Sequence, residues 1–146
     1  LHTMLSYTSV LKPEYSEELE RLMFFNPGQQ DALAAILDSL ETFGSPSVYT
    51  EGGVLRVKVE KLDEVQTLFA MDDDILIGVL VYSRIMLESL SVLHIAVNEE
   101  YSAQGKYANT MLVMRMLELL RNSARRIKGV KTIRLMCNSQ ARDINV

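Results

Sequence analysis

The hydrophobic positions of this 146-residue chain change their period several times, and each change predicts an element. Met4-Leu5-Ser6-Tyr7-Thr8-Ser9-Val10-Leu11 is short and rich in β-branched and aromatic residues, the pattern of a strand that Lys12-Pro13 ends. Ser16 followed by Glu17, Glu18 and Glu20 has the composition of an N-cap with an acidic first turn, and Leu19, Leu22 and Met23 supply a short apolar face before Asn26-Pro27-Gly28. A brief first helix is expected there. From Gln29 to Phe43, Ala32, Leu33, Ile36, Leu37, Leu40 and Phe43 recur at three-and-four spacing until Gly44 and Pro46, which predicts a second helix.

Beyond Pro46 the period falls to two. Val54, Arg56 and Lys58 alternate with Leu55, Val57 and Val59 over a strand from Val54 to Glu60; Glu64 to Met71 forms another run, and Asp72-Asp73-Asp74 reads as a hairpin turn into Ile75 to Tyr82. Leu87 to Val97 is a further strand, whose nearly all-apolar end, Leu93-His94-Ile95-Ala96-Val97, is expected of a central strand covered on both faces. The segment from Gln104 to Lys128 carries an apolar run, Met111 to Leu120, too dense for a surface helix, so a third helix with much of its circumference buried is expected before Gly129. Lys131 to Cys137 then alternates polar residues with Ile133 and Leu135, a last strand parallel to the preceding one through a right-handed crossover. These elements predict an α/β chain, α+β in stricter usage, with a mixed central sheet and helices on both faces, forming a single domain over residues 1–146.

Composition narrows the function. At 48% hydrophobic and 23% charged the chain can build a core, which excludes overall disorder. Its formal charge of -4 argues against a general nucleic-acid or anionic-membrane binder, both of which need a basic surface. Cys137 is the lone cysteine, and His2 and His94 lie far apart, so neither a disulfide framework nor a zinc cluster is expected, and no metal. The opening lacks a basic n-region and no segment reaches the roughly 18 apolar residues of a membrane span, which together suggest a cytoplasmic protein.

One stretch carries candidate chemistry: Ile95-Ala96-Val97-Asn98-Glu99-Glu100-Tyr101-Ser102-Ala103-Gln104-Gly105-Lys106-Tyr107-Ala108, read as a strand, a glycine-containing loop and the start of a helix. A loop entering a helix presents unpaired N–H groups and a partial positive charge, which suits a phosphate; glycine permits close approach, and Lys106 adds a cation. A glycine that merely relieves a turn is the plainer reading of those features by themselves.

At these residues the chain resembles the GCN5-related N-acetyltransferase superfamily. Ser102-Ala103-Gln104-Gly105-Lys106-Tyr107 is similar to that family's Gln/Arg-x-x-Gly-x-Gly/Ala motif, with Ser102 in place of Gln or Arg and Tyr107 in place of a small residue, Ala108 following. Asp73-Asp74-Ile75-Leu76-Ile77-Gly78 resembles the turn into strand three, Val97-Asn98-Glu99-Glu100-Tyr101 the exit of strand four, and Asn138-Ser139-Gln140-Ala141 the Asn-x-x-Ala after strand five. The resemblance implies an acyl-CoA-dependent N-acyltransferase using acetyl-CoA or another acyl-CoA. The cofactor would lie between strands four and five, its pantetheine along Ile95, Ala96 and Val97 and its pyrophosphate on Gln104 to Ala108, with Ser102, Ala103 and Asn138 nearby. An amine would attack the thioester directly, with an N–H near Val97 at the oxyanion and a general base and acid moving the protons.

The family continues beyond this point with a tyrosine-bearing helix and two strands, whereas this sequence stops at Val146; the Val54 to Glu60 strand, or a second subunit in a homodimer, is expected to fill the vacated place. His94 is expected to be a hydrogen-bonded core residue, and neither it nor Cys137 to be essential. Glu88, Glu99 and Glu100 are candidate bases, whereas Ser91 stands about where some relatives carry a catalytic Glu. The Met111, Met114 and Met116 side chains are expected in the core, and the basic run Arg121, Arg125, Arg126, Lys128 and Lys131 in water at the helix end, with contact to a CoA phosphate the other reading. The alternatives to an enzyme are a non-catalytic acyl-CoA-binding or regulatory module and an interaction domain whose loop is blocked by Tyr107.

Overall fold

The computed structural model describes residues 4–24, 40–137 and 140–146. Strand β1 is Leu5–Thr8, shorter than expected: it ends four residues before Lys12, where the Thr8 hydroxyl bonds the Val10 backbone in a local turn. Pro13, its φ preset by the ring, opens a 3-10 turn over Pro13–Tyr15 that runs directly into helix α1, Ser16–Phe24. Ser16 is therefore helical (φ −55°, ψ −46°) and does not act as the N-cap, because winding begins three residues earlier. Of the expected second helix, only 40–43 falls among the described residues, and it is helical.

The β-rich part contains two strands the hydrophobic pattern did not announce, one before Val54 and one at the end of the chain. β2 (Pro46–Glu51) pairs antiparallel with β3 (Val54–Val59) around Gly52 and Gly53, both at positive φ (61° and 78°), as a tight two-residue turn requires. The two form a sheet of their own. β3 thus does not enter the main sheet; its inward residues Leu55, Val57 and Val59 pack against the core instead.

The main sheet has the order β1-β4-β5-β6-β7-β8, with β4 Gln66–Asp72, β5 Ile75–Met86, β6 Ser89–Val97, β7 Thr132–Cys137 and β8 Gln140–Asn145. Every neighbouring pair is antiparallel except β6 and β7, which helix α2, Leu112–Ala124, connects. β8 covers the outer edge of β7 along its whole length, so neither β3 nor a partner subunit is needed there. Its sequence, Gln-Ala-Arg-Asp-Ile-Asn, lacks an apolar alternation, and β8 is held instead by the backbone ladder, by Arg134 bonded to Asp143 (2.9 Å) and by Arg121 donating to the Asn145 carbonyl (2.9 Å).

The two faces of the sheet carry separate cores. Leu19, Leu22 and Met23 of α1 meet Phe69, Val79 and Val81 on one; Leu112, Met116, Leu120 and Ala124 of α2 meet Ile77, Leu80, Leu90 and Ile133 on the other. The fold is thus a mixed α+β arrangement with a helix on each face. α2 buries one stripe at four-residue spacing, leaving Met111 and Met114 about 60% exposed (60% and 59%) rather than inside. Gly78 lets α2 close on the sheet: a Cβ there would lie 3.0 Å from the Met116 sulfur and 3.4 Å from Leu112. Among the described residues no helix is long and apolar enough to cross a membrane.

Candidate functional site

Strand β6 has different neighbours at its two ends. Its ladder with β7 covers Ser89↔Thr132, Leu90↔Ile133 and Ser91↔Arg134, yet β6 runs on to Val97 and β7 to Cys137. On its other side β6 stays in register with β5 as far as Val97↔Gly78. The parallel pair therefore opens into a V toward the C-terminal ends of its strands. Such a place suits an extended ligand, because it is where a βαβ unit parts its strands beside a loop. Beside the V the register steps: Val81 faces His94 and the next residue, Tyr82, faces Val92, so β6 carries one extra residue there. A step of this kind turns side chains and is common next to active sites.

Side-chain alternation sorts the expected cofactor residues. Ile95 and Val97 face the α2 core, Ala96 the α1 core. Asn98 leaves the strand with its N–H on the Ile77 carbonyl (2.7 Å) and accepts the Glu100 N–H with its side chain (3.0 Å), which caps a 3-10 turn over Glu99–Tyr101. Polar caps of this sort compete with α-helix, and a second 3-10 turn over Ala108–Thr110 leads to Met111 at φ 52°. α2 consequently begins at Leu112 and not near Gln104.

That shift changes what the 102–108 loop offers. The N–H of Gly105 is on the Ser102 carbonyl (3.0 Å), that of Tyr107 on Glu100 (2.6 Å) and that of Ala108 on Gly105 (3.2 Å), so these amides are occupied within the loop instead of facing an anion. Gly105 is required by the turn itself, since a Cβ would collide with the Glu99 and Glu100 carbonyl oxygens. An acidic substitution at 105 would therefore disturb the loop and not merely repel a phosphate. The Ser102 hydroxyl is turned back onto the Glu99 carbonyl (2.6 Å), while Ala103, Gln104 and Lys106 are exposed.

The loop is tied to the β4–β5 hairpin. Buried Tyr101 donates its phenol to Asp72 (2.7 Å), and its ring lies 5.0 Å from that of Tyr107, over which the Lys106 ammonium rests at 5.4 Å. Burial first, then the bond to Asp72, pushes the Tyr101 phenol well above its ordinary range, keeping it a proton donor. Tyr107 thus braces Tyr101.

His94 lies on the face opposite Ile95 and Val97, as strand alternation requires. Burial alone lowers its pKa and holds it neutral, yet its Nε2 is buried without a hydrogen-bond partner, contrary to the expectation of a satisfied core histidine. The carboxylates are dispersed. Glu88 sits beside Lys131 (3.5 Å) at the closed start of β6, whereas Glu99 and Glu100 are exposed past its far end. The basic run is largely in water as expected, Arg125, Arg126, Lys128 and Lys131 being exposed, and from it Arg121 and Arg125 also donate to the Asn145 and Val146 carbonyls. Asn138 lies outside the described residues, and Cys137 is placed only by its backbone on β7.

Two features escaped the sequence reading. Ser83, Ser89 and Ser91 are the buried polar residues among those described, and all lie where β5 and β6 meet, with Ser83 facing Ser91 across the ladder. Serine is common at turns, so these hydroxyls carried no signal of burial. The other feature is an open groove of ≈ 980 Å³ between the β2–β3 hairpin and the start of β4, with Glu51, Arg56, Asp63, Glu64 and Thr67 along it. Among the described residues no cluster of three or more metal-ligating side chains is formed. No protein-family model matches this chain, and no curated protein matches it.

Proposed function

We propose that this chain is an acyl-CoA-dependent N-acyltransferase of the GCN5-related type, transferring an acetyl or other acyl group from its CoA thioester to an amine. The observation that carries the reading is the V between β6 and β7, which follows the one parallel pairing among the described residues of the main sheet and opens beside the 98–111 loop. The pantetheine arm would run beside Ile95 to Val97, and the pyrophosphate would approach the 102–108 loop, where Lys106 supplies a cation. The amine attacks the thioester carbonyl, a C–N bond replaces the C–S bond, and CoA leaves as its thiol. A cytoplasmic setting goes with this reading.

A second reading is favoured by one observation. Because Glu88, Glu99 and Glu100 are exposed and dispersed, with no carboxylate among the described residues gathered beside the V, the chain reads equally as an acyl-CoA-binding module without turnover. Thermal unfolding with and without acetyl-CoA, followed by thiol release with a mixed panel of amines, separates the two. Ligand at about 100 times its dissociation constant adds about 2.7 kcal/mol to the native state, so a clear rise in Tm is expected, with thiol release if the chain is an enzyme. Lys106→Glu, on an exposed side chain, should weaken acetyl-CoA binding by about tenfold while leaving the unliganded Tm unchanged. Absence of any acetyl-CoA-dependent shift in the wild type would overturn both readings.

A further inference from the structure

We propose that the tip of the β5–β6 hairpin, Ile85-Met86-Leu87, inserts into the headgroup region of an anionic bilayer, with the basic turn between α2 and β7 lying on the anionic headgroups. The inference stands apart from the acyl-transfer reading and rests on other residues. Met86 pairs with Ser89, so the chain reverses over Leu87 and Glu88 alone. Between Ser83 and Met86 the ladder carries one extra residue in β5, which breaks the alternation of faces. Three consecutive apolar side chains stand in water there: Ile85 is 41% exposed, Met86 53% and Leu87 79%. Such a run adds nothing to either core, and at a surface it marks a place of contact.

The backbone of the tip suits a poorly hydrated place. The Leu87 carbonyl accepts from Arg84 Nε and Nη2 (2.9 and 2.6 Å), and the Glu88 carbonyl accepts from the Lys131 and Thr132 N–H groups (2.7 and 3.1 Å). Both acceptors of the turn are thus met within the protein, which removes much of the cost of taking them out of water. Arg84 also donates to the Lys128 carbonyl (2.9 Å), which brings the turn between α2 and β7 against the tip.

Charge selects the occupant. The net charge of -4 hides a segregation: residues 121–134 hold six of the chain's 15 lysines and arginines and none of its 19 acids. Arg125, Arg126, Lys128 and Lys131 in that stretch are exposed. The acid of the hairpin turn, Glu88, is faced by Lys131 (3.5 Å), and Asp143 is held by Arg134 (2.9 Å), which leaves Arg126 and Lys128 without an acidic partner among the described residues. Toward β4 the surface beside Ile85 is mixed, with Lys61, Asp63 and Glu64, so the basic side is confined to the turn between α2 and β7. A second copy docked tip to tip would set these cations against each other, and a nucleic acid would leave the apolar tip unused. An anionic bilayer takes both features, because its acyl boundary accepts a convex apolar projection without a preformed pocket and its surface potential attracts each cation nearby.

The chain has no tryptophan, so Leu87→Trp reports on the tip alone. Its emission should shift to the blue on vesicles of equimolar phosphatidylcholine and phosphatidylserine, whereas Ile75→Trp, exposed (62%) at the opposite end of β5, should not shift. In co-sedimentation the wild type should bind these vesicles at low salt. Replacing both cations, Arg126→Gln with Lys128→Gln, should weaken that binding about thirtyfold, and Leu87→Ser about tenfold, each with an unchanged Tm because the side chains are exposed. No binding to these vesicles, equal binding to pure phosphatidylcholine, or binding that both variants leave intact would overturn the proposal. Tighter binding to duplex DNA or RNA than to the vesicles, with Leu87→Ser indifferent, would make the basic turn a nucleic-acid site and overturn it as well.

Discussion

The two faces of the main sheet are built from the same strands and differ in what they bury. Beneath α2 the helix contact is apolar: Leu112, Met116, Leu120 and Ala124 descend at four-residue spacing onto Ile77, Leu80 and Ile133, with Gly78 letting the helix close, while the Tyr7 hydroxyl at the β1 side of that face is buried without a hydrogen-bond partner. Beneath α1 an apolar core of Leu19, Phe69 and Val79 gives way, toward the β5–β6 end, to Ser83, Ser91 and the unbonded nitrogen of His94. Each face thus keeps a buried polar atom unmet, and the two differ in where it lies: Tyr7 Oη on the edge strand β1, His94 Nε2 on the central strand β6. Beside His94 the register of β6 steps by a single extra residue, and the ladder to β7 ends at Ser91.

The sharpest way to break this comparison is to cut into each face in turn. Leu120→Ala, on the α2 face, should lower stability by about 2–5 kcal/mol in urea unfolding because it leaves a cavity. His94→Phe should cost far less than that, since it removes an unmet polar atom from the α1 face. Equal losses would mean that the His94 imidazole is as well satisfied as the Leu120 side chain.

Next in size is Tyr101→Phe, which leaves the Asp72 carboxylate without its donor and should lower stability by about 1.5 kcal/mol. Because folding raises the pKa of this phenol, its contribution is complete below the ordinary tyrosine value of about 10 and is lost as pH rises past it. Alkaline unfolding should therefore steepen in the wild type and not in Tyr101→Phe. Ser83→Ala removes the bond to the Glu64 carbonyl, an expected loss of about 1 kcal/mol that urea titration resolves.

A smaller effect distinguishes the faces by pH. The unfolded chain's imidazole takes up a proton near its ordinary value of about 6.5, whereas folded His94 does so only at lower pH. Between the two the unfolded state holds more protons, so stability falls as pH falls. His94→Phe should flatten that part of the Tm-against-pH curve. The smallest change is expected for Asp143→Asn: its pair with Arg134 is exposed, and a bond on the β8 edge already anchored by the backbone should leave Tm nearly unmoved.

The amino-acid sequence alone determined most of the elements whose burial follows a period. The strand around Ser6, α1, β3, the β4–β5 hairpin, β6 and β7 are legible because their apolar residues recur at two or at three and four, and Asp72 to Asp74 and Gly129 punctuate them. It also determined the face that His94 occupies. β2 and β8 are different: what holds them is the hydrogen-bond ladder of a neighbour distant in sequence, and a ladder leaves no mark on side-chain pattern. The start of α2 likewise depended on contacts, because Asn98 and the Tyr101–Asp72 bond organise the 98–111 loop into 3-10 turns before a helix can begin. Tertiary structure alone decided that the Gly105 loop would satisfy its own amides, that three serines would be buried in one row, and that β6 and β7 would part beyond Ser91. Each of these depends on which strand lies beside which, and on how far a pairing extends before twist and a register step separate the chains.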